Sequence, residues 1–146
     1  MTDYDNGVIR VTVPEGWLAF CGTDSGGCET PKKLHIYKDA VSPLDIFTKA
    51  GITVCFYGRD EILLPSKWFY DDACDIEPFE CGDKLWQGYT CSSFGFPYTM
   101  LDTRVGEVTF QVMILKKNGE HEISLKDDDV RTVLESLAPS KGESAA

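Results

Sequence analysis

From Val8 the side chains alternate. Ile9, Val11 and Val13 fall on one face, and Val8, Arg10 and Thr12 on the other. A period of two is the mark of a half-buried strand. Pro14 has no N–H to donate and Gly16 suits a turn, so the strand ends there and Trp17-Leu18-Ala19-Phe20 begins the return. Residues 22–31 are rich in glycine, proline and small polar residues and read as a loop, after which Lys33 to Lys38 can form a short strand. Ser42-Pro43 predicts an N-cap followed by proline in the first turn. Leu44, Phe47 and Ala50, at three-residue spacing, then predict a helix over 43–50 that Gly51 ends. Ile52 to Tyr57 is β-branched and aromatic, a strand composition.

Residues 60–84 lose the period. Pro65, Pro78, Gly82 and the acids Asp71, Asp72, Asp75, Glu77, Glu80 and Asp83 predict a loop with one short strand near 76–80. A meander follows over 85–93, 97–103, 107–115 and 120–125, clearest where Val108, Phe110, Val112 and Ile114 share a face. Asn118-Gly119 is a two-residue hairpin signal. In the last helix, over 127–137, Val130, Val133, Leu134 and Leu137 sit at i, i+3, i+4 and i+7, and Asp127 to Asp129 lie at the positive end of the dipole. Pro139 stops it. These elements divide the chain into a loose, polar segment 1–6, one globular domain over 7–138 and a disordered tail over 139–146.

The fold class is therefore α/β in the α+β sense: a twisted, mainly antiparallel sheet flanked by helices near 43–50 and 127–137. Four features resemble the Mog/PsbP-like fold: Val11-Thr-Val-Pro-Glu-Gly-Trp17, the Gly88-Tyr89 strand, the hairpin around Gly106 and the Asp127-to-Leu137 helix. That group takes in the PsbP subunit of photosystem II, the Ran-binding Mog protein and many small bacterial proteins and lipoproteins. The resemblance implies a sandwich with a central antiparallel sheet. It implies little about activity, because members bind very different partners and are mostly not enzymes, and it carries no functional residue onto this chain. No lipid-attachment cysteine stands near Met1, which sets the chain apart from the lipoprotein members.

Composition narrows the function classes. The chain has 146 residues, 42% apolar and 26% charged, as expected of one soluble domain. Its formal charge of −10 argues against nucleic acid or an anionic membrane as partner, since both call for clustered Lys and Arg. No apolar run approaches the roughly 20 residues that insertion across a bilayer needs. Residues 1–10 lack a basic start and an apolar core, so the expectation is a cytoplasmic protein, the alternative being an exported form without its leader.

The candidate chemistry is sparse. Cys21 and Cys28, and likewise Cys74 and Cys81, form two C-x6-C pairs among the six cysteines. Thiolates suit zinc, but zinc sites usually space each ligand pair two to four residues apart so that one turn presents both sulfurs. The expectation is no resident metal or cofactor, with these four thiols as the ligands if one is held. The acidic run 71–83 lacks the spacing of a calcium loop. Cys55 reads as a buried thiol, and a nucleophilic role would need His35 or His121 beside it. His121 alternates with Ile123 and Leu125 and points to the apolar side, whereas His35 shares a face with Lys33 and Tyr37 and reads as solvated. No catalytic residue is assigned. The 17 aromatic residues (Phe 8, Tyr 6, Trp 3) exceed what one small core uses, so part of them can line a binding face. Trp68, Tyr70, Trp86 and Tyr98 are the candidates. The function expected is a non-catalytic binding or accessory module engaging a protein partner. The alternative is a small thiol-dependent or metal-assisted enzyme.

Overall fold

The structure, a computed structural model, describes residues 1–61 and 67–141. Its strands are β1 (Thr2–Asp5), β2 (Ile9–Val13), β3 (Trp17–Thr23), β4 (Glu29–Lys38), β5 (Gly51–Tyr57), β6 (Cys74–Asp75), β7 (Phe79–Cys81), β8 (Lys84–Ser93), β9 (Phe96–Val105), β10 (Val108–Leu115), β11 (Lys117–Asn118), β12 (His121–Glu122) and β13 (Ala138–Pro139). One α-helix, α1 (Asp128–Ser136), stands among the described residues. The main sheet runs β3-β4-β5-β10-β9-β8-β6, with β7 added to β8, and its pairings are antiparallel. A smaller ribbon, β1-β2-β13, carries both ends of the described chain.

Alternation assigns the two faces of the main sheet. Leu34 and Ile36, Ile52, Val54 and Phe56, Leu101, and Phe110, Val112 and Ile114 point to one side. There they meet Ile9, Val11 and Val13 of β2 and Val130, Val133, Leu134 and Leu137 of the helical segment. These residues form the core, and most are fully buried. Trp17 closes one end of it, and its indole N–H donates to Asp129 Oδ2 at 3.3 Å, tying the start of β3 to the first turn of α1. Lys84 closes the other end. Its buried ammonium donates to the Glu135 carbonyl at 2.6 Å, at the negative end of the helix dipole.

The helical content is smaller than the sequence suggests, and the flanking-helices description is corrected to a sheet-dominated α+β fold. Over the predicted helix 43–50 the chain makes only a five-residue 3-10 turn, Pro43–Phe47. Leu44 and Phe47 are solvent-exposed there, so no apolar stripe docks to extend it. The Asp45 carboxylate accepts from the backbone N–H groups of Val41 and Ser42 and fixes the turn. Segment 1–6, expected loose, is corrected too: Thr2–Asp5 pair with β2 in register. At the other end Ala138 and Pro139 pair with β2, and the Ser140 N–H donates to the Val8 carbonyl at 2.9 Å. The ordered chain thus passes the predicted boundary at 139, and positions 142–146 of the expected tail lie outside the described residues. In place of one strand near 76–80 there are two short ones, β6 and β7, on either side of Ile76.

Candidate functional site

The opposite face of the main sheet carries three cross-strand rows, read from the pairing register. The first is Lys33, Cys55, Gln111, Asp102 and Gln87; the second is His35, Thr53, Met113, Met100 and Tyr89; the third is Tyr37, Gly51, Leu115, Tyr98 and Cys91. Side chains two apart on one strand share a face. The polar first row therefore lies beside the Met row, and the Met row beside the Tyr row. Neither α1 nor the small ribbon covers this side, because both are packed into the core.

The second and third rows floor a trough of about 610 Å³. Among the described residues its floor includes Met100, Met113, Leu115 and Tyr98, and its walls include His35, Tyr37 and Tyr70. Phe47, from the 3-10 turn, and Phe94, from the β8–β9 turn, stand on the rim at 73% and 98% exposure. Phe94 has a positive φ of 51° and Gly95 one of 83°. Ser93 pairs with Phe96, so the two form a two-residue hairpin turn of the primed kind, which favours Asn or Gly at its first position. A phenylalanine there is strained and aimed into solvent.

Burial sets the charge states in the trough. His35 is half-buried, and its pKa is pushed down to about 4 by burial, with the Lys33 charge adding to the effect. Its Nδ1 shares a 2.8 Å hydrogen bond with Thr53 Oγ1, and its ring lies between those of Phe20 and Tyr37. The solvated reading of His35 is thereby corrected: the open side of the sheet is walled by aromatic rings at this point. Burial also raises the phenols of Tyr37, Tyr70 and Tyr98, and that of Tyr89 to about 12, so all four are neutral hydrogen-bonding groups. Cys55 is raised by burial, the reverse of the shift that activates a thiolate.

Where the Met row meets the polar row a second concavity opens, of about 480 Å³, lined among others by Gln87, Asp102, Gln111, Tyr89, Met100 and Lys67. Met100 lines both hollows, so the two adjoin there. Asp102 accepts from Gln87 Nε2 at 3.1 Å. Burial raises its carboxyl pKa, and the Gln87 bond partly offsets that.

Of the four aromatics singled out from sequence, Tyr70 and Tyr98 line the trough. Trp68 is 85% exposed on the short 3-10 turn Lys67–Phe69, outside the lining. Trp86 is a correction. It is fully buried on the core face of β8, since a one-residue step along the strand moves it to the opposite side from Gln87 and Tyr89. The candidate thiols are not brought together. Cys21 lies on β3 and Cys74 on β6, at opposite edges of the main sheet, six strand spacings or on the order of 28 Å apart. Among the described residues no three His, Cys, Asp or Glu side chains converge on a point that could hold a metal. The trough residues the sequence reading passed over include Met100 and Met113. Their signal was the second face of each alternating strand, which periodicity marks as polar or mixed and which reads as solvent.

No protein-family model and no curated protein matches the chain. Among solved structures it is similar to the 1.50 Å crystal structure of a protein from Bacteroides thetaiotaomicron VPI-5482, with 15% sequence identity and a TM-score of 0.51. The match covers 91% of this chain and 45% of the other, so the chain spans a little under half of that protein's length. What the two share is the fold: a sheet-dominated α+β domain.

Proposed function

We propose that the protein is a binding module that takes an apolar segment of a protein partner into the trough on the open sheet face. One observation carries this reading: a concave floor of methionine, leucine and tyrosine is ringed by large aromatic side chains that stand in water. Exposed apolar groups gathered around an apolar hollow mark an interaction surface. Methionines in the floor suit a partner side chain of variable shape. The strain at Phe94 supports the same reading, because an unfavourable backbone conformation retained by a protruding residue points to use of that residue.

The Mog/PsbP-like resemblance belongs to this proposal. What supports it is the order of parts: a strand, a Pro-Glu-Gly turn and Trp17 at the start, an antiparallel sheet, and a closing helix on the core face. Among the described residues no helix is long and apolar enough to cross a membrane.

The test is a random peptide library displayed on phage and panned against the immobilised full chain. Selected peptides should bind wild type and lose at least tenfold in affinity to the Phe47→Ser/Phe94→Ser variant. Equal binding to both proteins would remove the trough from consideration.

A further inference from the structure

We infer that the segment held in the trough carries a lysine or arginine beside its apolar side chains, and that this cation docks on Asp102 between Gln87 and Gln111. The inference rests on the binding-module reading and names the chemistry of the partner.

Asp102 is a half-buried carboxylate lining the second hollow. Its cross-strand neighbours on both sides are glutamines: Gln87 on β8, which donates to it, and Gln111 on β10. Neither neutralises its charge. The cations nearby make other contacts. Lys67, on the wall of the same hollow, holds both oxygens of Asp75 at 3.0 and 3.1 Å. Arg104, two residues along β9, donates its Nε–H to the Gly106 carbonyl at 3.1 Å. Among the described residues no ion pair to Asp102 is formed. A carboxylate removed from water without a cation is unfavourably placed, and a partner that brings the cation relieves it. The two hollows adjoin at Met100, so a segment seated on the apolar floor can reach Asp102 with one long basic side chain. The net charge of −10 draws basic segments in from a distance.

The peptides selected by panning decide the matter. They should pair an aromatic or aliphatic residue with Lys or Arg. The best of them, made synthetically, should bind Asp102→Asn at least tenfold more weakly than wild type. The same peptide with its basic residue changed to alanine should bind the two proteins equally. Asp102→Asn keeps the size of the side chain, and its urea midpoint should match or exceed that of wild type. Selection of peptides that lack a basic residue, lose affinity to the rim variant and ignore Asp102→Asn would overturn this inference and leave the trough reading standing. Peptides indifferent to the rim variant would overturn both.

Discussion

The ring of Tyr37 occupies the space that a side chain at Gly51, its cross-strand partner, would need: a Cβ there would collide with Cγ and both Cδ atoms of the ring. The bare backbone of Gly51 lets the tyrosine lie down against the sheet and become the wall of the trough. Gly51→Ala should cost about 1–3 kcal/mol through overpacking and should push Tyr37 outward. Urea unfolding measures the first effect, and weakened binding of a selected peptide the second.

His35 gives the protein a pH dependence of known sign. Its folded pKa of about 4 lies below the ordinary imidazole value of 6.5. Between those values the unfolded chain binds the extra proton and the folded chain does not, so stability is intact above pH 6.5 and falls as pH drops toward 4. After allowance for partial exposure the loss is about 2 kcal/mol. His35→Phe keeps an aromatic ring and removes the titration. Its urea midpoint, followed from pH 7 to 4, should fall less steeply than that of wild type. Identical slopes would show that the imidazole is free to protonate in the folded state.

The two tryptophans first grouped together should separate in experiment. Trp86 is fully buried, and Trp86→Ala should cost about 3–5 kcal/mol. Among the described residues its indole N–H has no hydrogen-bond partner, so Trp86→Phe gives up no such bond and should cost less than about 2 kcal/mol. Trp68→Ala, at an exposed position, should stay within about 0.5 kcal/mol. Chemical denaturation of the three variants, followed by far-UV circular dichroism, reads all of this.

Most of the architecture was legible because period-two alternation over β2 and β10 and the i, i+3, i+4, i+7 stripe of α1 each select one buried face. What escaped notice had a physical cause in each case. Leu44 and Phe47 sit at helical spacing, but nothing docks on them, so the turn stops at five residues. Thr2–Asp5 is polar, and only its pairing with Val11 and its neighbours makes it a strand. The trough was half legible. Tyr70 and Tyr98 were visible as surplus aromatics, but the row of His35, Thr53, Met113 and Met100 is assembled by register across four strands, and register is a tertiary property.

Phe94 should trade stability against binding. Asparagine tolerates positive φ better than phenylalanine, so Phe94→Asn should stabilise the fold by about 0.5–1 kcal/mol while weakening any peptide selected on the trough. Thermal melting and fluorescence polarisation on the same preparation test both halves. A variant that binds as well as wild type would mean the ring is only a turn residue.

The ribbon that pairs β1, β2 and β13 has an architectural consequence. It gathers the first strand and the last described one on the side of the main sheet away from Phe94 and Met113. A tether attached at either terminus leaves the trough facing outward like a socket on the far wall of its housing.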